Sequence, residues 1–122
     1  QNKYGGVIPG VSGKLGFEHV LNSTGSRVDA VEFNESGDII TIIECQSGIH
    51  NGDYLDDTHF AKAISRYPKS PEIVNTVRKI IIIAGGYLPE QLATFKDLTN
   101  YEIIALQTII NDGAIALEKV IY

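Results

Sequence analysis

Two short β-branched runs, Ile39-Ile40-Thr41-Ile42-Ile43 and Ile80-Ile81-Ile82-Ile83-Ala84, constrain this chain more than any other feature. Each is about as long as one buried strand. Neither approaches the roughly 20 consecutive apolar residues that a membrane-spanning helix needs. Strands apolar on both faces belong in the middle of a sheet whose faces are covered. The 122 residues are enough for one domain around one core. The chain carries no Met at all, and we read it as a piece of a longer protein with further domains.

The flanking sequence supplies the other elements. Gln1–Gly16 is Gly-rich and reads as an irregular arm. Phe17–Asn22 shows a short helical pattern closed by Ser23-Thr24-Gly25. Arg27–Phe33 alternates between polar and apolar residues, which predicts a strand. Asn34-Glu35-Ser36-Gly37-Asp38 predicts a turn with Gly37 at positive φ, and Ile39–Gln46 completes an antiparallel hairpin.

A helix is predicted from about Asp53 to Tyr67, with Asp53, Asp56 and Asp57 at its start and Pro68 beyond its end. Arg78–Ala84 is a buried strand, and Leu88–Phe95 a short helix with Pro89 near its start. Tyr101–Ile110 is a last strand, or else the opening of a helix that continues through Ala114–Val120. The predicted fold is α/β: a mixed central sheet, antiparallel hairpin plus parallel strand, flanked by helices in a single domain over 1–122.

Charge and cysteine content narrow the function classes. The net charge of −5 argues against a stand-alone nucleic-acid-binding domain, which usually carries a basic face. Carboxylates that bind a divalent ion would account for part of it. Cys45 is the only cysteine, so no internal disulfide forms, which fits a reducing, cytoplasmic setting. Alternation turns Cys45 away from Glu44 and Gln46 and into the core. No secretory signal layout opens the chain. Gly85-Gly86 lacks the Lys-Ser/Thr of a phosphate loop.

The chemistry-bearing cluster lies on the hairpin. Glu44 and Gln46 are two apart on one strand and share a face. A carboxylate on so apolar a strand needs a metal, a cation or a rim position. Asp29 sits on the partner strand, opposite the neighbourhood of Glu44, and Glu32 would replace it if the register slipped by one. Hard oxygen donors of this kind suit Mg²⁺, with Mn²⁺ as an alternative. His59, Lys62, Arg66 and Lys69 form a basic stripe at helical spacing, suited to a nucleic-acid backbone or simply to solvent. His50 follows in a Gly-containing loop.

These residues resemble the PD-(D/E)xK nuclease superfamily, whose pattern is an acidic residue on one hairpin strand and (D/E)-x-K at the end of the next. Here it reads Val28-Asp29, a spacer, then Glu44-Cys45-Gln46, with Val28 for the usual Pro and Gln46 for the usual Lys. The resemblance spans roughly Phe17 to Ile83. It implies a restriction-endonuclease-like core and a Mg²⁺-dependent endonuclease acting on DNA, of restriction, phage or repair type. It implies Asp29, Glu44 and Gln46 as catalytic residues and Lys62 as stand-in for the motif Lys. It also implies Glu18, on the preceding helix, as a third metal ligand. A two-fold dimer would meet both strands of a duplex. The missing Lys and the acidic charge motivate a rival reading, an inactive nuclease-fold module that binds nucleic acid or protein. A small-molecule-binding α/β domain is a third.

Overall fold

The computed structural model describes residues 8–20, 27–46, 54–66, 73–98 and 100–122. Six strands form one mixed sheet in chain order. They are β1 (Lys14–Val20), β2 (Arg27–Phe33), β3 (Ile39–Cys45), β4 (Lys79–Ala84), β5 (Glu102–Asn111) and β6 (Ala114–Lys119). β1, β2 and β3 make an antiparallel meander. β3, β4 and β5 run parallel, and β6 returns antiparallel on β5. The first parallel crossover carries α1 (Asp57–Ala61) and a π-helical turn (Lys62–Arg66), and the second carries α2 (Pro89–Asp97).

Apart from Thr41, the two runs are apolar because both faces of the sheet are covered. Ile42, Ile80 and Ile82 pack beneath the helical side, with Leu55, Ala63, Ile73 and Phe95. Ile43, Ile81 and Ile83 pack on the other side, with Ile8, Val11 and Leu15. The N-terminal arm therefore substitutes for a helix layer on that face. Glu32 ties it down. Its Oε2 accepts the N–H of Gly13 at 2.7 Å and of Ser12 at 3.1 Å, and its Oε1 accepts from the Thr41 hydroxyl at 2.6 Å. Lys79 Nζ adds a bond to the Gly10 carbonyl at 2.7 Å.

Several predicted elements stand where the sequence puts them. β2 spans Arg27–Phe33, Gly37 has φ +87°, and Pro89 opens α2. Three differ. Phe17–Val20, the described part of the helical pattern from Phe17, belongs to a strand, because pairing with the open edge of β2 supplies a full ladder and a helix that short is marginal alone. The helix expected from Asp53 starts at Asp57, because Tyr54 bridges in parallel to Gly86 and Leu55 N–H donates to Gly86 at 2.9 Å, holding this stretch extended. The helix considered for Ala114–Val120 is β6. Asp112 (φ +52°) and Gly113 (φ +79°) make a two-residue hairpin turn there. Among the described residues, no helix is long and apolar enough to cross a membrane.

Candidate active site

The β2–β3 ladder pairs Ala30 with Ile43, and the same register carries Asp29 across from Glu44. At this point a side chain takes over from backbone pairing: Asp29 Oδ2 accepts the N–H of Cys45 at 2.7 Å. Asp29 is exposed, whereas Glu44 is only 3% exposed. Glu44 lies beside Ile82 at the carboxyl end of parallel strands β3 and β4. In open α/β sheets, ligands bind at that end.

The β1–β2 ladder adds a third carboxylate to the row. Its register runs Phe17 with Ala30 and His19 with Val28, which leaves Glu18 across from Asp29. Glu18 therefore sits on a strand rather than on the preceding helix that the motif implies, and its φ of +49° breaks the regular extended backbone there. Continued past the last paired residues, the two registers set Glu18, Asp29 and Glu44 at successive positions on three strands. Glu32 is three residues along β2 from Asp29, paired with Thr41 and spent on the N-terminal arm. The register gives it no part in the site.

Gln46 serves as a clamp. Its Nε2 donates to the Tyr54 carbonyl at 2.5 Å and its Oε1 accepts the Asp56 N–H at 2.6 Å. Buried Gln91 holds the same stretch from α2, donating to the Leu55 carbonyl at 2.8 Å. The two amides fix the entry to α1 so that Asp56 becomes its N-cap.

From that position Asp56 Oδ1 accepts the backbone N–H of His59 at 2.9 Å and meets its ring Nδ1 at 3.0 Å. These bonds from His59 hold the Asp56 carboxyl below its ordinary range. The ring's other nitrogen, Nε2, lies 3.7 Å from Glu44 Oε1. His59 is thus turned toward the sheet rather than along an outward basic stripe. Lys62 follows three residues later, half-buried at the start of the π-helical turn, and Arg66 ends that turn. Lys69 and His50 lie outside the described residues. Asp56 was not singled out from the sequence as a site residue. An N-capping Asp three residues before a His is the signal that could have found it.

The donor set can be weighed against a metal. Among the described residues, no three His, Cys, Asp or Glu side chains are gathered as a metal-holding group. Mg²⁺ needs only one or two carboxylates and keeps several waters, and facing Asp29 and Glu44 match that open requirement in chemistry. No protein-family model matches the chain, and no curated protein or solved structure shows significant similarity to it.

Proposed function

We propose that this chain is the core of a metal-dependent nuclease that hydrolyses DNA phosphodiester bonds, a restriction-endonuclease-like domain of the PD-(D/E)xK kind. The observation that carries the reading is the placement of Asp29 across from a buried Glu44, where side-chain bonding closes the hairpin. The element order agrees with it: a hairpin, a helical crossover, then a buried parallel strand.

Glu44 and Asp29 would hold Mg²⁺ or Mn²⁺. Such an ion, when bound, polarises the scissile phosphate and lowers the pKa of an attacking water. The chain's own residues do the rest. Asp29 is held by the Cys45 N–H, so one oxygen is oriented by the fold. Gln46 positions the Tyr54–Asp56 stretch rather than acting as a base, which an amide cannot do. Lys62 would meet a phosphate oxygen, and Arg66 and Lys69 would contact the DNA backbone. The test is plasmid cleavage by the purified chain with Mg²⁺ or Mn²⁺ and with excess chelator. Cleavage that the chelator abolishes is expected.

One observation favours a second reading, an inactive nuclease-fold module that binds nucleic acid or protein. Gln46, at the motif Lys position, engages backbone at both ends of its amide. Tight binding of DNA without cleavage under any divalent ion would select it.

A further inference from the structure

Tyr54 combines a fixed backbone with an exposed ring. It bridges in parallel to Gly86, and its carbonyl accepts from Gln46 Nε2. The next residue, Leu55, donates to the Gly86 carbonyl and accepts from Gln91 Nε2. The Tyr54 residue is nonetheless 50% exposed. One edge of its ring rests on buried Gly86, where a Cβ would stand 2.9 Å from both Cδ1 and Cε1. Gly86 is not among the glycines at positive φ, so a side chain there would disturb the seat of the ring rather than the backbone.

An aromatic ring left in water forgoes the gain of burial. A partner that stacks on it recovers that gain at little ordering cost, because the backbone beneath the ring is already fixed. The surroundings define the partner. The clamp of Gln46 holds Tyr54 at the carboxyl end of β3 and β4, where Glu44 lies. The net charge of −5 leaves phosphate contacts a weak hold on nucleic acid. A nucleobase offers what phosphate does not, a π-face that stacks on an aromatic side chain whatever the sequence. In a continuous duplex each base is already stacked and paired, so a base that is already unpaired is the one that reaches the ring at least cost.

We propose that Tyr54 is a nucleobase-stacking residue, and that this site takes DNA with unpaired bases in preference to a continuous duplex. This rests on the nuclease reading and names the substrate class of that site.

The test is fluorescence anisotropy of end-labelled DNA with the parent chain, Tyr54→Phe and Tyr54→Leu, in Ca²⁺, another ion that oxygen ligands hold. The probes are a continuous duplex, the same duplex with a short single-stranded gap, and the gapped duplex with abasic sugars in the gap. The last keeps every phosphate and removes only the bases. The parent should bind the gapped duplex about tenfold more tightly than either other probe. Tyr54→Phe keeps the ring and should match the parent within about twofold. Tyr54→Leu should lose about tenfold on the gapped duplex and stay within about threefold on the other two. A loss confined to the probe that has bases is a coupling between ring and base, which a merely structural role would not give.

The same probes are then incubated with Mg²⁺ or Mn²⁺ and resolved on a denaturing gel. Equal binding of the gapped and abasic probes by the parent would overturn the stacking role. So would binding by Tyr54→Leu that is unchanged, or lowered equally on all probes. Metal-dependent cutting by the parent would in those cases leave the nuclease reading standing. Ring–base coupling without cutting would keep the stacking role and overturn the nuclease reading. A parent chain that neither binds nor cuts any probe would overturn both.

Discussion

The carboxylate of Asp29 accepts the backbone N–H of Cys45 at 2.7 Å, so a β2 side chain closes the ladder where Glu44 emerges from β3. The bond couples the fold to the candidate site. Asp29→Ala removes the acceptor and should lower unfolding free energy by about 1 kcal/mol. Asp29→Asn keeps an acceptor and should cost less. Both should weaken divalent-metal binding. Urea denaturation and calorimetry on the two variants separate the structural share from the ligand share.

Gln46 joins strand β3 to the entry of α1 through two bonds to backbone. Gln46→Ala leaves the Asp56 N–H and the Tyr54 carbonyl without that partner and should cost about 1–3 kcal/mol. Gln46→Lys, which places here the usual Lys of the PD-(D/E)xK pattern that the sequence resembles, still cannot accept from Asp56. It should destabilise the chain as well. Hydrogen exchange of the Leu55 and Asp56 amides should accelerate in both.

Glu32 supplies a pH dependence. Burial works to raise its pKa, but the bonds from Thr41, Gly13 and Ser12, with the charge of Lys79, outweigh burial and hold it below the ordinary 4.5. The folded value is the lower one, so the unfolded chain binds more protons in the window between the two. Stability from this group is fully present above about pH 4.5 and is lost as pH falls through the folded value. Glu32→Gln should flatten the acid limb of a stability-versus-pH curve and loosen the arm at residues 8–13. Thermal unfolding between pH 3 and 7, at roughly half-unit steps across that window, would show it.

Gly113 sits at φ +79° in the turn between β5 and β6, with open space where a Cβ would stand. Gly113→Ala therefore tests backbone conformation and nothing else. It should cost about 1 kcal/mol, read by urea denaturation, with no effect on metal binding.

The sheet was legible where side chains alone determine it. Ile39–Ile43 and Ile80–Ile83 have to be covered on both faces, and Gly37 marks their hairpin. The row Asp29–Glu44 followed from that hairpin's register. β1 was hidden because only its pairing with β2 makes it a strand, and Glu18 breaks its alternation with a positive φ. β6 was missed although Asp112-Gly113 is a strong hairpin signal, because the apolar residues after it also fit a helix. His59 was assigned to an outward stripe on the assumption of one regular helix from Asp53. The later start at Asp57 and the π-helical turn at Lys62–Arg66 change which residues share a face. The clamp of Gln46 on Tyr54 and Asp56 joins residues on separate elements, and no local pattern announces it.

Metal-dependent cleavage of supercoiled plasmid by the parent chain and by Glu44→Gln, each at saturating Mg²⁺ and Mn²⁺, tests the central claim most directly. The parent should nick and linearise the plasmid, and Glu44→Gln, nearly the same shape without the charge, should be slower by about a hundredfold or more. Cleavage by Glu44→Gln at the parental rate, or a folded parent that neither binds a divalent ion nor cuts, would contradict the assignment of Glu44 and Asp29 as a nuclease site.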